Sequence, residues 1–175
     1  MKGTRSFTAC VCALIALIAS VFSVSGQALE KGWRDLLPLI SSKEKVEKIF
    51  GKPENVDDNG YHNYRLDEYF IQVNYSTDPC RPNQYDRGKF NVARDTVLDI
   101  WIHVKKNLLL TKLDFDRTKY YRDATGHVTN VVYYNSQETG ISIVTSIQDE
   151  SRDEYVGSIH YSPSEKFRLQ FACKN

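Results

Sequence analysis

The sequence feature that most constrains the fold is a short segment in which both ends of a helix are marked. Ser41 is suited to cap the helix N-terminus, and Glu44 follows three residues later, as in a capping box. Gly51 tolerates the left-handed conformation at a helix C-terminus, and Pro53 forbids continuation. The segment predicts a helix over residues 42–50, about 13 Å long.

One narrow stripe of this helix is apolar. Val46, Ile49 and Phe50 are spaced three and four residues apart, so they share one face. A helix this short is marginal in water, because most helical stability in proteins comes from tertiary packing. The rest of the chain must therefore provide an apolar surface for this stripe.

Most of the remaining chain shows the two-residue alternation of β-strands. Seven runs bounded by polar turns have this pattern: 61–66, 68–76, 97–104, 128–135, 140–148, 154–161 and 166–173. Sequential strands joined by short turns pair antiparallel. We therefore predict an α+β fold, an antiparallel sheet of about seven strands with one or two short helices packed on one face. Residues 108–121 predict either a second short helix or an extended crossing.

The alternation also predicts which residues share a face. In the run 97–104, Leu98, Ile100 and Ile102 point to the same side. Because this run is the clearest strand, we expect the apolar stripe of the helix to pack on that side.

The N-terminus has the features of a secretory signal peptide. Lys2 and Arg5 precede an apolar run over residues 9–24, and small residues after it favour cleavage behind Gly26. The run is short for a membrane span, and an uncleaved anchor is the alternative. Since no lipid-attachment cysteine follows the run, we predict a protein that is secreted or periplasmic rather than a lipoprotein.

Cleavage would remove the signal peptide 1–26 and leave a single α+β domain, 27–175. The alternative is a tandem arrangement of the halves 32–104 and 108–175, since each half holds several strands. The signal peptide carries two basic residues, so its loss changes the formal charge from +1 to −1. This balance predicts neither a nucleic-acid partner nor an anionic membrane, and we expect no stable membrane span after cleavage.

Two cysteines remain after cleavage, Cys80 and Cys173. In an oxidising compartment an isolated pair most simply forms a disulfide, and two free thiols are the alternative. The bond would close a loop of about 93 residues, worth at most about 4.6 kcal/mol on the chain-entropy model.

The helix segment resembles a known pattern. Its cap, apolar stripe and Gly-x-Pro ending are similar to the helix signature of the small outer-membrane assembly lipoproteins (the SmpA/OmlA family) and of β-lactamase-inhibitor-like domains. The resemblance implies a capped helix that precedes an antiparallel sheet. Over more of its length the chain looks like uncharacterised exported bacterial proteins. The residues that carry the two resemblances are Ser41, Val46, Ile49, Phe50, Gly51 and Pro53 for the first, and Gly32, Trp33, Arg34, Pro38, Leu39, Tyr161, Pro163 and Ser164 for the second.

The sequence contains no recognisable catalytic constellation. Its four histidines show none of the close spacings typical of metal ligands, and no nucleophile elbow or phosphate-binding glycine loop is present. Residues 55–60 partly fit the start of a calcium-binding loop, but Leu66 stands where the bidentate acid belongs. We therefore predict a protein that is not an enzyme and that uses no metal or cofactor.

Strand alternation turns one set of aromatic and polar side chains away from the predicted core: Phe70, Gln72, Asp99, Trp101, His103 and His160. Aromatic residues are enriched at binding hot spots, so this set predicts a patch that binds a protein or small ligand of the cell envelope. The alternative is that residues 33–40 or the long loop 77–95 fold over Trp101 and cover it.

These observations favour an exported, non-catalytic interaction module. The alternative is a small periplasmic hydrolase with dispersed catalytic residues. That alternative predicts a cleft that holds His103 or His160 beside a carboxylate.

Overall fold

The computed structural model describes residues 29–81, 89–124, 130–148 and 152–174. The predicted signal peptide, His127 and the middle of the loop 77–95 lie outside these residues. The described elements are α1 Lys43–Phe50, β1 Asn55–Val56, β2 His62–Arg65, β3 Tyr69–Tyr75, β4 Val97–Val104, β5 Tyr121–Asp123, β6 Val131–Ser136, β7 Ile141–Ile147, β8 Glu154–Tyr161 and α2 Glu165–Gln170.

Short 3-10 helices occupy Leu29–Lys31, Leu110–Lys112 and Arg117–Lys119. The last two show that residues 108–121 form neither a regular α-helix nor a fully extended crossing. In the part of the chain that the structure describes, no helix is both long enough and apolar enough to cross a membrane.

The strands of the described residues form one antiparallel sheet in the order β1-β2-β3-β4-β8-β7-β6-β5. Each half of the chain contributes a four-stranded meander, and the two meanders meet where Ile102 of β4 lies opposite Ile159 of β8. The predicted α+β class is therefore confirmed, with eight strands rather than about seven. The additional strands, β1 and β5, are too short to show alternation in the sequence. Whether the halves are a repeat stays a prediction.

Helix α1 begins one residue later than the sequence predicts. Ser42, not Ser41, is the N-cap, and its hydroxyl accepts a hydrogen bond from Lys45 N at 3.3 Å. Ser41 is buried instead, and its hydroxyl accepts from a backbone amide of the preceding segment at 3.0 Å. The predicted end is confirmed, because Gly51 has a φ of 81° and its N–H donates to Glu47 O at 2.8 Å.

The apolar stripe of α1 packs on one face of the sheet, which we call the core face. Val46 is fully buried, and Ile49 and Phe50 pack beside it. Ile100 and Ile102 belong to the same cluster, so this part of the packing prediction is confirmed. Burial of each large apolar side chain stabilises the fold by about 1.5–3 kcal/mol.

Leu98 does not join this core. Tyr75 lies opposite Val97 while Asn74 lies opposite Asp99, so Leu98 is an extra residue in a β-bulge. The bulge interrupts the strand alternation from which we predicted that Leu98 lies under α1. That part of the packing prediction is therefore wrong. The side chain belongs to a second buried cluster, which contains Leu39, Phe90, Val92 and Leu98, with Phe167 and Phe171 packed against it.

The predicted closing strand at the C-terminus is helix α2 instead. Ser164 caps this helix, accepting a hydrogen bond from Phe167 N at 3.4 Å. Phe167 and Phe171 are four residues apart and both pack against the second cluster, whereas Leu169 is 75% exposed. The apolar residues of this segment partly fit both the two-residue period of a strand and the 3.6-residue period of a helix. The serine cap is the local signal that favours the helix.

Candidate functional site

The sheet face opposite the core face carries the predicted binding residues. Strand pairing places Phe70 opposite His103, and Trp101 opposite both Gln72 and His160. All five lie on the central strands β3, β4 and β8, so the structure brings the whole predicted patch together. We call the four rings, Phe70, His103, Trp101 and His160, the ring row.

The rings of the ring row contact one another. The His160 ring lies 4.0 Å from the Trp101 ring with 11° between their planes. The His103 ring lies 6.2 Å from Trp101 at 12°, and the Phe70 ring lies 5.7 Å from His103. Each of the four side chains is partly exposed. Since aromatic pairs contribute about 0.5–1.5 kcal/mol beyond area burial, these contacts hold the row in one arrangement.

Hydrogen bonds fix the polar side of the ring row. His103 Nε2 lies 3.1 Å from Gln72 Oε1, and Gln72 Nε2 lies 3.1 Å from Asn63 Oδ1 and 3.4 Å from Asp57 Oδ2. Because Gln72 Oε1 is an acceptor, His103 Nε2 carries the hydrogen. Burial lowers the pKa of His103 below its usual 6.5, which favours the neutral ring at neutral pH.

A histidine and a carboxylate meet at the β8 end of the ring row. His160 Nε2 lies 3.6 Å from Asp99 Oδ1. Asp99 is only 1% exposed, and Tyr61 OH donates to the same oxygen at 3.3 Å. A buried carboxylate needs such partners, because desolvation of an isolated charge is costly. Both side chains line a cavity of about 640 Å³, whose lining also includes Lys89, Ser142 and Arg168.

The disulfide bond between Cys80 and Cys173 lies next to this cavity. The predicted pairing is confirmed, with the two Cα atoms 5.6 Å apart. Beside the bond, Cys80 N donates to Phe90 O at 2.9 Å. Phe90 and Ala172 form an isolated β-bridge, and both line the cavity. The bond therefore joins the two chain segments that form one wall of the cavity.

Trp33, in the segment before α1, lies away from the ring row. Trp33 stacks on Phe50 of α1 at 5.4 Å and meets the edge of the Tyr69 ring at 5.4 Å. These contacts place Trp33 against the core face, whereas Leu39 of the same segment packs in the second cluster. Whether residues 33–40 or the loop 77–95 cover Trp101 stays a prediction. Of the loop 77–95, Phe90 packs into the second cluster with Leu98.

Sequence reasoning placed Asp99 on this face without a partner, and it missed Tyr61. Asp99 interrupts an apolar strand, and a charged residue in such a run signals a buried partner. Tyr61 lies 38 positions away from Asp99 along the chain. No local pattern indicates that contact, because it depends on the pairing of β2, β3 and β4.

No protein-family model and no curated protein matches the chain. Among solved structures, it is similar to the DUF4309 family protein YjgB from Bacillus subtilis, with 14% identity and a TM-score of 0.43, over 74% of this chain and 82% of that chain. It is also similar to a cysteine-rich secretory protein from Staphylococcus aureus, with 8% identity and a TM-score of 0.31, over 86% of this chain and 55% of that chain.

Proposed function

We propose that the chain is an exported, non-catalytic binding module that holds a protein or small ligand of the cell envelope on its ring row. One observation carries this proposal: four partly exposed rings lie in contact at the centre of the sheet face opposite α1. Contiguous exposed apolar surface on a monomer marks an interaction site more often than chance does. The signal-peptide pattern and the disulfide support export.

The ring row is suited to binding because it is ordered before a partner arrives. Trp101 is stacked on His160, and His103 is held by Gln72. A partner therefore loses little affinity to the ordering of these side chains. Tryptophan at the centre of such a patch is typical of a binding hot spot.

Trp101→Ala tests this function. We expect the variant to capture its envelope partner at least about tenfold more weakly, because hot-spot truncation costs about 2 kcal/mol or more. The variant should stay folded with a thermal midpoint only a few degrees lower, because the lost stacking on His160 and His103 is worth about 0.5–1.5 kcal/mol per pair. Capture is measured by quantitative mass spectrometry of a pull-down from the envelope fraction, and folding by circular dichroism.

Tyr121→Ala is the matched control, since Tyr121 is an aromatic residue on the edge strand β5 and is 71% exposed. It should capture the partner as the wild type does. Equal losses in both variants would mean that the ring row is not the site. If Trp101→Ala unfolds the protein, Trp101 is a core residue and the binding face is wrong.

A small hydrolase is the second candidate, and the pair of His160 and Asp99 in the 640 Å³ cavity favours it. At 3.6 Å the two groups are near each other but not hydrogen-bonded, so this distance would have to shorten before the carboxylate orients the imidazole as a general base. With Nε2 towards Asp99, Nδ1 of His160 would take the proton. Release of p-nitrophenol from short-chain esters, abolished by both His160→Gln and Asp99→Asn, would support this candidate over the binding module.

A further inference from the structure

Strand pairing extends the ring row into a longer line of side chains on the same face. Gln72 lies opposite Trp101, and His160 lies between Trp101 and Ser142. Asn135 of β6 in turn lies opposite Ser142. We call these five residues, one from each of five adjacent strands, the cross-strand row. Because neighbouring strands lie about 4.8 Å apart, the row is about 19 Å long.

A second line of side chains runs beside the cross-strand row, and neither line contains Asp, Glu, Lys or Arg. These four residue types make up 26% of the chain, and they return to this face at the edge strand β5, where Asp123 lies opposite Tyr133. All ten side chains of the two lines, which we call the open patch, are at least partly exposed. A neutral ligand suits this patch, because a charged one would lose water without gaining a counter-charge. The second line consists of Phe70, His103, Ser158, Val144 and Tyr133.

Three polar groups of the cross-strand row are available to a ligand: the indole N–H of Trp101, the hydroxyl of Ser142 and the side-chain amide of Asn135. Within the described residues none of these groups forms a hydrogen bond, and none is among the buried polar atoms. They therefore reach solvent, so a ligand can replace water at each of them without breaking a hydrogen bond of the protein. Gln72 differs from them, because it is already bonded to His103.

The position of the row on the sheet favours a sugar chain over a peptide. An extended peptide gains affinity by pairing its backbone with a free strand edge. Each of the five strands under the row is already paired on both sides, so a ligand meets only side chains here. These side chains combine aromatic rings with a few hydrogen-bonding groups. An oligosaccharide matches this combination, because its hydroxyl groups form hydrogen bonds while its C–H groups lie against rings.

We propose that an extended, uncharged oligosaccharide binds along the cross-strand row. Trp101 donates to a ligand oxygen, Ser142 and Asn135 bond to further hydroxyl or acetamido groups, and the sugar C–H groups lie against the ring row. One sugar ring is about as long as one strand spacing of about 4.8 Å, so the row accommodates about four rings. This inference rests on the proposed binding function and names its ligand class.

Isothermal titration of the purified protein with cellohexaose, maltohexaose and the hexamer of N-acetylglucosamine tests this inference. We expect saturable binding of at least one hexamer, and at least about tenfold weaker binding of its disaccharide, which reaches only part of the row. Trp101→Ala should weaken binding by about tenfold or more. Ser142→Ala and Asn135→Ala should each weaken it by up to about tenfold, because each removes one hydrogen bond to the ligand.

Ser146→Ala is the matched control for Ser142→Ala. Ser146 is an exposed serine on the same strand, and it lies opposite Tyr155, outside the open patch. This variant should bind the oligosaccharide as the wild type does. Circular dichroism checks that all the variants are folded.

The inference is overturned if no hexamer binds saturably, or if Ser142→Ala and Asn135→Ala bind it as the wild type does. Trp101-dependent binding of heparin, a sulfated polysaccharide, without binding of the neutral hexamers would also overturn it. The pull-down separates this failure from a failure of the proposed function. If no hexamer binds but Trp101→Ala still captures its envelope partner more weakly, the ring row binds a protein and only this inference falls. If capture is unchanged as well, both fall.

Discussion

Two histidines in this fold lie where their charged form is disfavoured. Burial lowers the pKa of His103. Burial also lowers the pKa of His62, and the charge of Lys43 lowers it further, while Glu47 and Asp95 act in the opposite direction. In the unfolded chain both histidines titrate near about 6.5. The native state therefore binds fewer protons than the unfolded state just below that pH.

This difference predicts how stability depends on pH. Because the folded pKa values lie below about 6.5, the two neutral histidines make their full contribution to the free energy of unfolding above that pH. This contribution is lost as the pH falls through about 6.5, and the loss levels off below the folded pKa values. Urea denaturation between pH 7.5 and pH 5 measures it. The double variant His62→Gln/His103→Gln should depend less on pH over this range, and a wild type that gains stability on acidification would contradict the prediction.

At the scale of the elements, helix α1 depends on its contacts with the rest of the fold. It has only eight residues, so its own hydrogen bonds do not keep it folded. Phe50 at its end stacks on Trp33 at 5.4 Å and lies 5.6 Å from the Tyr64 ring. These contacts join the helix to the segment before it and to β2.

Phe50→Ala should lower the free energy of unfolding by about 3 kcal/mol. This value is at the low end of the usual range for such truncations, because Phe50 is only partly buried. Lys48→Ala, on the exposed side of the same helix, should change the free energy by less than about 0.5 kcal/mol. Both are measured by reversible urea denaturation. A loss below about 1 kcal/mol for Phe50→Ala would mean that α1 is not docked as described.

At the scale of the whole molecule, the disulfide stabilises the fold because it restricts the unfolded chain. Cys80 and Cys173 are 93 positions apart, so their bond links the connection between β3 and β4 to the segment after α2. The double variant Cys80→Ala/Cys173→Ala should lower the free energy of unfolding by about 2–4 kcal/mol, since the unfolded chain becomes less restricted. Reduced wild type should show the same loss in urea denaturation. Equal stability of oxidised and reduced protein would contradict this.

The sequence by itself determined the features that depend on neighbours a few residues apart. Gly51 and Pro53 mark the end of α1, since backbone conformation at a helix terminus is a local property. Period-two alternation assigned Trp101 and His103 to one face of β4 and His160 to the corresponding face of β8, because side chains alternate on any pleated strand. The residues of the ring row were predictable for this reason.

Only the tertiary structure decided which strands lie side by side. The pairing of β4 with β8 sets the Trp101 ring on His160, and the register of β3 with β4 creates the bulge that moves Leu98 out of the core. The burial of Asp99 against Tyr61 arises in the same way. Such contacts join distant positions whose register is set by the packing of the whole sheet, and no local pattern of residues encodes that packing.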